Sequence, residues 1–189
     1  ILLSRSDFIL FLSSDTILEK NALRMMVNEL VSHAGAAACV PKILQKSELP
    51  SDNKFSVDTL YGTGIEVQRQ KRFALRGFDQ EDRGQYDAPS EVFGLTGICS
   101  LLRREALEQI KLSESEYYVP LFTVFYGDVD LSWRLRNRGW KIIYTGSAWV
   151  YHISADLPFF GSLKNKFPEM QDHEIYFQHL WLWLVNDFH

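Results

Sequence analysis

The stretch YGDVDLSWRLRNRGWKIIYTGSAWVYH, Tyr126 to His152, decides how the chain folds. Gly127 to Gly139 reads as a helix that opens on an acidic turn, sets Asp130 four residues before Arg134, and stops at a glycine. WKIIYTGSAWVYH then reads as a strand, a turn at Thr145-Gly146, and a second extended piece ending in His152. A helix turns about 100° per residue, so Asp128 and Asp130 point about 200° apart and serve different neighbours. Asp128, at the helix N-terminus, suits either a cap on backbone N–H groups or a carboxylate kept for chemistry. Asp130 suits a brace with Arg134, worth about 0.2–0.5 kcal/mol at a surface. His152 closes an apolar strand, as a hydrogen-bonded core imidazole or as a ligand.

Upstream, Phe8 to Leu12 is an unbroken apolar run ended by Ser13-Ser14-Asp15, which predicts a parallel strand buried on both faces. Asp15 follows that strand's end, where it either caps the next helix or faces the edge at which open α/β sheets bind ligands. Leu23, Met26, Val27, Leu30 and Val31 recur at helical spacing up to Gly35, and Ala36 to Ile43 reads as a second buried strand. Residues 44–56 read as a loop, GTGIEVQRQKRFALRGF as a hairpin, and QEDRGQYDAPSE as a polar loop. Phe93 to Leu102 (FGLTGICSLL) is apolar with two glycines, fit either for close packing or for close approach to a ligand. A short helix is expected over Arg103 to Ile110 and a final one over His173 to Asn186. Strands and helices alternate, so the expected class is α/β, a mostly parallel sheet flanked by helices.

Composition narrows the function. With 189 residues, 46% hydrophobic and 23% charged, the chain is the size of one globular domain. A net charge of −4 offers no field for phosphate backbones, which argues against a nucleic-acid partner. No apolar run reaches the length of a bilayer span. Cys39 and Cys99 are too few for a disulfide framework or a zinc site and fit a reducing, cytoplasmic setting. Trp133, Trp140 and Trp149 are expected in the core. In the tail, Phe177, Leu180, Trp181, Leu184 and Val185 form one helical stripe. It is read as docking on the core, with peripheral membrane association as the alternative. The start at Ile1, running straight into a strand, reads as cut from something longer.

LFLSSDT, then GLTGICSLLRREAL, then FYGDVDLSWRLRNRGWKIIYTGSAWVYH, in that order, resemble the family 2 glycosyltransferases of the GT-A fold, particularly their rhamnosyltransferase-like branch. RGFDQEDRGQYDAPSEVFG looks like the connecting loop of such sequences. The resemblance implies a GT-A-like partial domain over 1–189. Residues 1–155 would carry the metal, diphosphate and acceptor half and 156–189 a helical tail, without the N-terminal nucleotide-binding βαβ units. It implies transfer of a sugar, with inversion, from a nucleotide-diphosphate donor to a glycan or lipid-linked glycan acceptor. Cell-surface polysaccharide synthesis at the inner face of the membrane is the expected setting, and dTDP-rhamnose the leading donor. It places Asp128 as general base, Asp15 and His152 at a divalent metal (Mn²⁺ or Mg²⁺), and Thr96, Gly97 and Ser13 against the substrates. Asp130 and Arg134 are structural. Two positions depart from the family pattern: Gly127 stands where a Glu usually precedes the base, and Ser13 where an Asp or Asn usually precedes the metal aspartate. They leave open a degenerate, non-catalytic sugar-binding module. A metal-dependent phosphohydrolase is the other alternative, although no nucleophile stands beside Asp15.

Overall fold

The computed structural model describes residues 1, 3–45, 59–69, 72–120, 122, 126–153 and 186. In chain order the elements are β1 (Phe8–Leu12), β2 (Thr16–Leu18), α1 (Ala22–Ser32), β3 (Ala36–Gln45), β4 (Thr59–Gly62), β5 (Ile65–Gln68) and β6 (Arg72–Leu75). They continue with β7 (Ser90–Val92), β8 (Cys99–Arg103), α2 (Arg104–Ile110), α3 (Gly127–Asn137) and β9 (Lys141–His152).

The long strands β3 and β9 lie parallel at the centre. Each is long enough for its outer edge to hold two short strands, β8 and β4 on β3, and β7 and β2 on β9. β1 adds outside β8 as the last strand on that side. The hairpin β5–β6 forms its own two-stranded sheet. Alternation along the central strands divides the core in two. Cys39, Ile43 and Ile143 pack with Ala22, Met26 and Leu30 of α1. Val40, Ile142 and Tyr144 pack with Ala106 and Leu107 of α2 and with Leu131 and Leu135 of α3. Arg103 at the end of β8 donates to the carbonyls of Leu30 (2.7 Å) and Ala36 (3.1 Å), serving α1 where its last carbonyls lack helical partners. Gly139, the predicted stop of α3, has φ +83°, a conformation that costs glycine little.

Pro41 sits in the middle of β3 and has no N–H to give the ladder. There the register shifts: Pro41 pairs with Thr145 but Lys42 with Trp149, leaving Gly146, Ser147 and Ala148 as a bulge in β9. The polar loop 76–89 is fastened over this bulge. Tyr144 donates to the carbonyl of Tyr86 (2.7 Å), and the buried ammonium of Lys42 reaches Asp82 (2.8 Å) and Asp87 (2.6 Å). A Cβ at Gly146 would stand 2.6 Å from the backbone oxygens of both Tyr86 and Asp87. Gly146→Ala is therefore expected to cost about 1–3 kcal/mol or more, because backbone must move. Thermal melting, with limited proteolysis of the 76–89 loop, is the check.

The α/β class, the hairpin and the helices over α2 and α3 agree with expectation. The sheet differs: it is mixed, and among the described strands β3–β9 is the parallel pair while the other pairings are antiparallel. Likewise β1 runs antiparallel to β8 and is only half-buried. An apolar run carries no strand direction: β8 is nearly as continuously buried as β3 and yet runs antiparallel to it. Thr16–Leu18, where a helix capped by Asp15 would begin, form β2 instead, and α1 starts after Asn21. Leu23 and Val31 of α1 and Trp149 of β9 are exposed, against expectation, whereas Trp133 and Trp140 pack on the core. The predicted turn at Thr145-Gly146 is the bulge inside one continuous strand. The loop over 44–56 and the helix over His173 to Asn186 lie outside the described residues, apart from Leu44 and Gln45, which extend β3, and Asn186.

Candidate active site

The turn between β1 and β2 carries Ser13 and Asp15, and the antiparallel pairing of β2 with β9 sets Thr16 opposite His152. That pairing draws together two residues far apart in sequence. His152 Nε2 lies 3.3 Å from Asp15 Oδ2, and the Ser13 hydroxyl donates to Asp15 Oδ1 at 2.5 Å. Asp15 is thus not the cap of α1; that position belongs to Asn21. His152 is buried, while the Asp15 side chain remains 37% exposed on its open side. Partial burial works against ionisation of Asp15, but the Ser13 hydroxyl and the His152 imidazole outweigh it and hold the carboxyl below its ordinary range.

Asp128 is the second residue of α3, after Tyr126 at the cap position and Gly127. Tyr126 has φ +63°, a left-handed conformation that costs a bulky residue roughly 1–2 kcal/mol. Burial of its ring holds it there, and its carbonyl accepts the Asp130 N–H at 2.8 Å. The Asp128 carboxylate takes the Val129 N–H on Oδ1 (2.9 Å) and the Gly97 N–H on Oδ2 (3.2 Å). Burial pushes its pKa up, and the Gly97 and Val129 N–H groups pull part of that back. A carboxylate so placed is a stronger base than one in water.

The segment 96–98 joins the two centres. Ile98 accepts the Ser13 N–H through its carbonyl (2.8 Å), and its neighbour Gly97 donates to Asp128. Of the pair expected to face the substrates, Gly97 is exposed, but Thr96 is turned inward: it is 1% exposed and its hydroxyl donates to the Cys99 carbonyl (3.3 Å). Apolar strand flanks on both sides of Gly97 draw the threonine into the core. Tyr61 of β4, which carries no motif in sequence, packs against the His152 centre. Its ring centroid is 4.4 Å from that of His152. Burial raises its hydroxyl pKa, and the charges of Asp15 and Asp128 both add to the rise, so both carboxylates are within its electrostatic reach.

Asp130 points away from this site and is fully buried. Arg134 reaches its Oδ2 from Nε (2.9 Å) and from a second guanidinium nitrogen (2.7 Å), and the Asn186 amide donates to Oδ1 (3.2 Å). The guanidinium also donates to the carbonyls of Ile110 and Tyr117, tying α3 to the end of α2. The pair expected at the surface is internal, which raises its structural weight.

Asp15 offers a carboxylate on its open side, backed by the imidazole of the buried His152 at 3.3 Å. Among the described residues no third His, Cys, Asp or Glu joins them. Such a sparse set fits a divalent cation that completes its shell with phosphate oxygens and water, as Mg²⁺ and Mn²⁺ do in nucleotide sites. Among the described residues no helix is long and apolar enough to cross a membrane.

The fold is shared with a crystal structure of GalNAc-T7 with UDP, GalNAc and Mn²⁺, at a TM-score of 0.54 and 12% identity, over 79% of this chain and 28% of that one. This is the GT-A architecture: a mixed sheet with flanking helices. In sequence, 69 residues are 39% identical to an N-acetylglucosaminyl-diphospho-decaprenol L-rhamnosyltransferase of Mycobacterium tuberculosis, found in the CDC 1551 and H37Rv strains. That match takes in 35% of this chain and 21% of the enzyme, so the chain corresponds to a minor part of its relative's length. The model of the family described as "Glycosyltransferase like family 2" matches residues 3–171, and the chain belongs to that family.

Proposed function

We propose that the chain carries the catalytic half of an inverting glycosyltransferase, which moves a sugar from a nucleotide-diphosphate donor to an acceptor hydroxyl. The observation that carries this reading is the double use of the 96–98 segment, which fixes the Asp15–His152 pair and the Asp128 carboxylate at one edge of the sheet. Asp128 takes the proton of the acceptor O–H as the new C–O bond forms at the anomeric carbon. The bond from that carbon to the diphosphate breaks on the opposite side, so configuration inverts. Asp15 and His152 would hold a divalent cation, with Mn²⁺ of the GalNAc-T7 structure as the precedent; bound there, it neutralises charge on the departing diphosphate. Ser13 orients the Asp15 carboxylate and leaves Oδ2 toward His152. The rhamnosyltransferase relative supports L-rhamnose as the transferred sugar and a lipid-linked N-acetylglucosaminyl diphosphate as acceptor, and dTDP-rhamnose is the donor proposed.

The test is turnover of dTDP-rhamnose by the full-length protein with Mn²⁺ and that acceptor, against an EDTA control. Asp15→Asn and His152→Ala are each expected to weaken Mn²⁺-dependent donor binding about tenfold or more, the scale on which metal-site changes act. Unchanged donor affinity and metal dependence in both variants would remove these residues from the diphosphate end. Hydrolysis of simple phosphate esters without sugar transfer would point instead to a phosphohydrolase.

A further inference from the structure

Two consecutive tyrosines precede α3 and face opposite ways. Tyr117 is buried, and its hydroxyl donates to Glu108 at 2.7 Å. Tyr118 is 38% exposed, and among the described residues its hydroxyl makes no hydrogen bond. Its ring rests on Phe11 of β1, with centroids 6.0 Å apart, and on the first residue of α3. A Cβ at Gly127 would stand 3.3 Å from Tyr118 Cδ1 and 3.4 Å from the Phe122 carbonyl oxygen, tighter than a side chain there is comfortable with. The absence of a side chain at 127 is therefore what lets the ring settle against the helix start, one residue from Asp128.

We propose that Tyr118 determines acceptor specificity: with Gly127 beneath it, the ring is a platform for the apolar face of an acceptor sugar presenting its hydroxyl to Asp128. This inference rests on the transferase reading above. The fit is chemical. A pyranose has one face of C–H groups, an aromatic ring offers a complementary rigid apolar surface, and the tyrosine hydroxyl adds a polar tip for a ring substituent. A side chain at 127 would meet this ring. Partial desolvation, together with the negative charge of Asp128, raises the Tyr118 hydroxyl pKa, so the group stays protonated and is a donor throughout the working pH range. A platform on the acceptor side alone predicts that acceptor and donor affinities respond separately.

The experiment is an equilibrium titration of the full-length protein with two probes: N-acetylglucosaminyl diphosphate carrying a short lipid, and dTDP-rhamnose with Mn²⁺. Tyr118→Ala is expected to weaken acceptor binding about tenfold, as for the loss of one stacked face, and to leave donor binding within about twofold. Tyr118→Phe should keep most of the acceptor affinity. Tyr118→Leu, which preserves apolar packing on Phe11 and Gly127, should lose it. If Tyr118→Ala melts early, the Phe and Leu pair decides. Equal acceptor affinity in the Leu variant and the wild type overturns the proposal. So does an equal loss for both probes, or no binding of the acceptor probe by the wild type. Tyr118-dependent acceptor binding without any sugar transfer would overturn the transferase reading alone. Transfer with an acceptor KM unchanged in Tyr118→Leu would overturn this inference alone.

Discussion

Asp128→Asn in the full-length enzyme is expected to slow transfer about 10²–10⁴-fold, the range for loss of a general base, with donor affinity nearly unchanged. Stability should change far less. In the fold the Asp128 carboxyl titrates above its ordinary value, because burial disfavours the charge more than the Gly97 and Val129 N–H groups favour it. A group shifted upward favours the folded state only below its unfolded pKa, and that contribution is lost as pH rises through the folded value. Once ionised, above that value, the carboxylate therefore strains the fold; asparagine removes the charge, while its single amide oxygen keeps one of the two N–H bonds and its NH2 group meets the other N–H. A melting temperature close to that of the wild type, together with lost turnover, is the expected pair of results. Lost folding would return Asp128 to a helix cap, and wild-type turnover would remove it from the chemistry. The activity of the wild type should likewise fall as pH drops through the raised Asp128 pKa, since the protonated carboxyl cannot accept the acceptor's proton.

Asp130→Asn, two residues on, is expected to reverse the balance. Removing one member of a buried ion pair costs about 3–5 kcal/mol, because the remaining charge keeps its desolvation without its partner. For a chain of this size that lowers the melting temperature by roughly 6–20 °C, at about 2–4 °C per kcal/mol. Turnover per folded molecule, measured well below the transition, should change little, since Asp130 faces Arg134 and Asn186 rather than the Asp15–His152 edge. Normal melting with abolished turnover would mean that the two aspartates have exchanged roles. Chemical denaturation with single-turnover kinetics on the same preparation separates the outcomes.

What the sequence disclosed follows from how local each signal is. The Asp130–Arg134 pair was legible because helical spacing alone puts the two on one face, although its burial was not, since that depends on α2 and on Asn186. The proximity of Asp15 and His152 was implied only by resemblance, and it is produced by a three-residue strand too short to read from any pattern. Sheet direction was misread because apolarity carries no sense of direction. Thr96 was placed on the substrate side by its motif, whereas local packing turns its side chain inward. Tyr61 and Tyr118 had no signal: each matters through a neighbour distant in sequence, His152 for one and Gly127 and Phe11 for the other.

The bulge opposite Pro41 has a consequence of parity. Along β3, Cys39 and Ile43, both odd-numbered, face the α1 core. Along β9 the odd residue Ile143 faces that core before the bulge, whereas the even residues Ala148 and Val150 face it afterwards. The excess of three residues is an odd number, so inside and outside trade places at Gly146–Ala148. His152, two residues past Val150, owes its side of the sheet to that exchange. In an unbulged strand, even positions such as Ile142 and Tyr144 face the α2–α3 side, and His152 would point there, away from Asp15 and Tyr61. The segment should thus tolerate changes of side chain far better than changes of length. Losing or gaining one residue there would invert the phase of everything downstream and dismantle the Asp15–His152 pair without touching either residue.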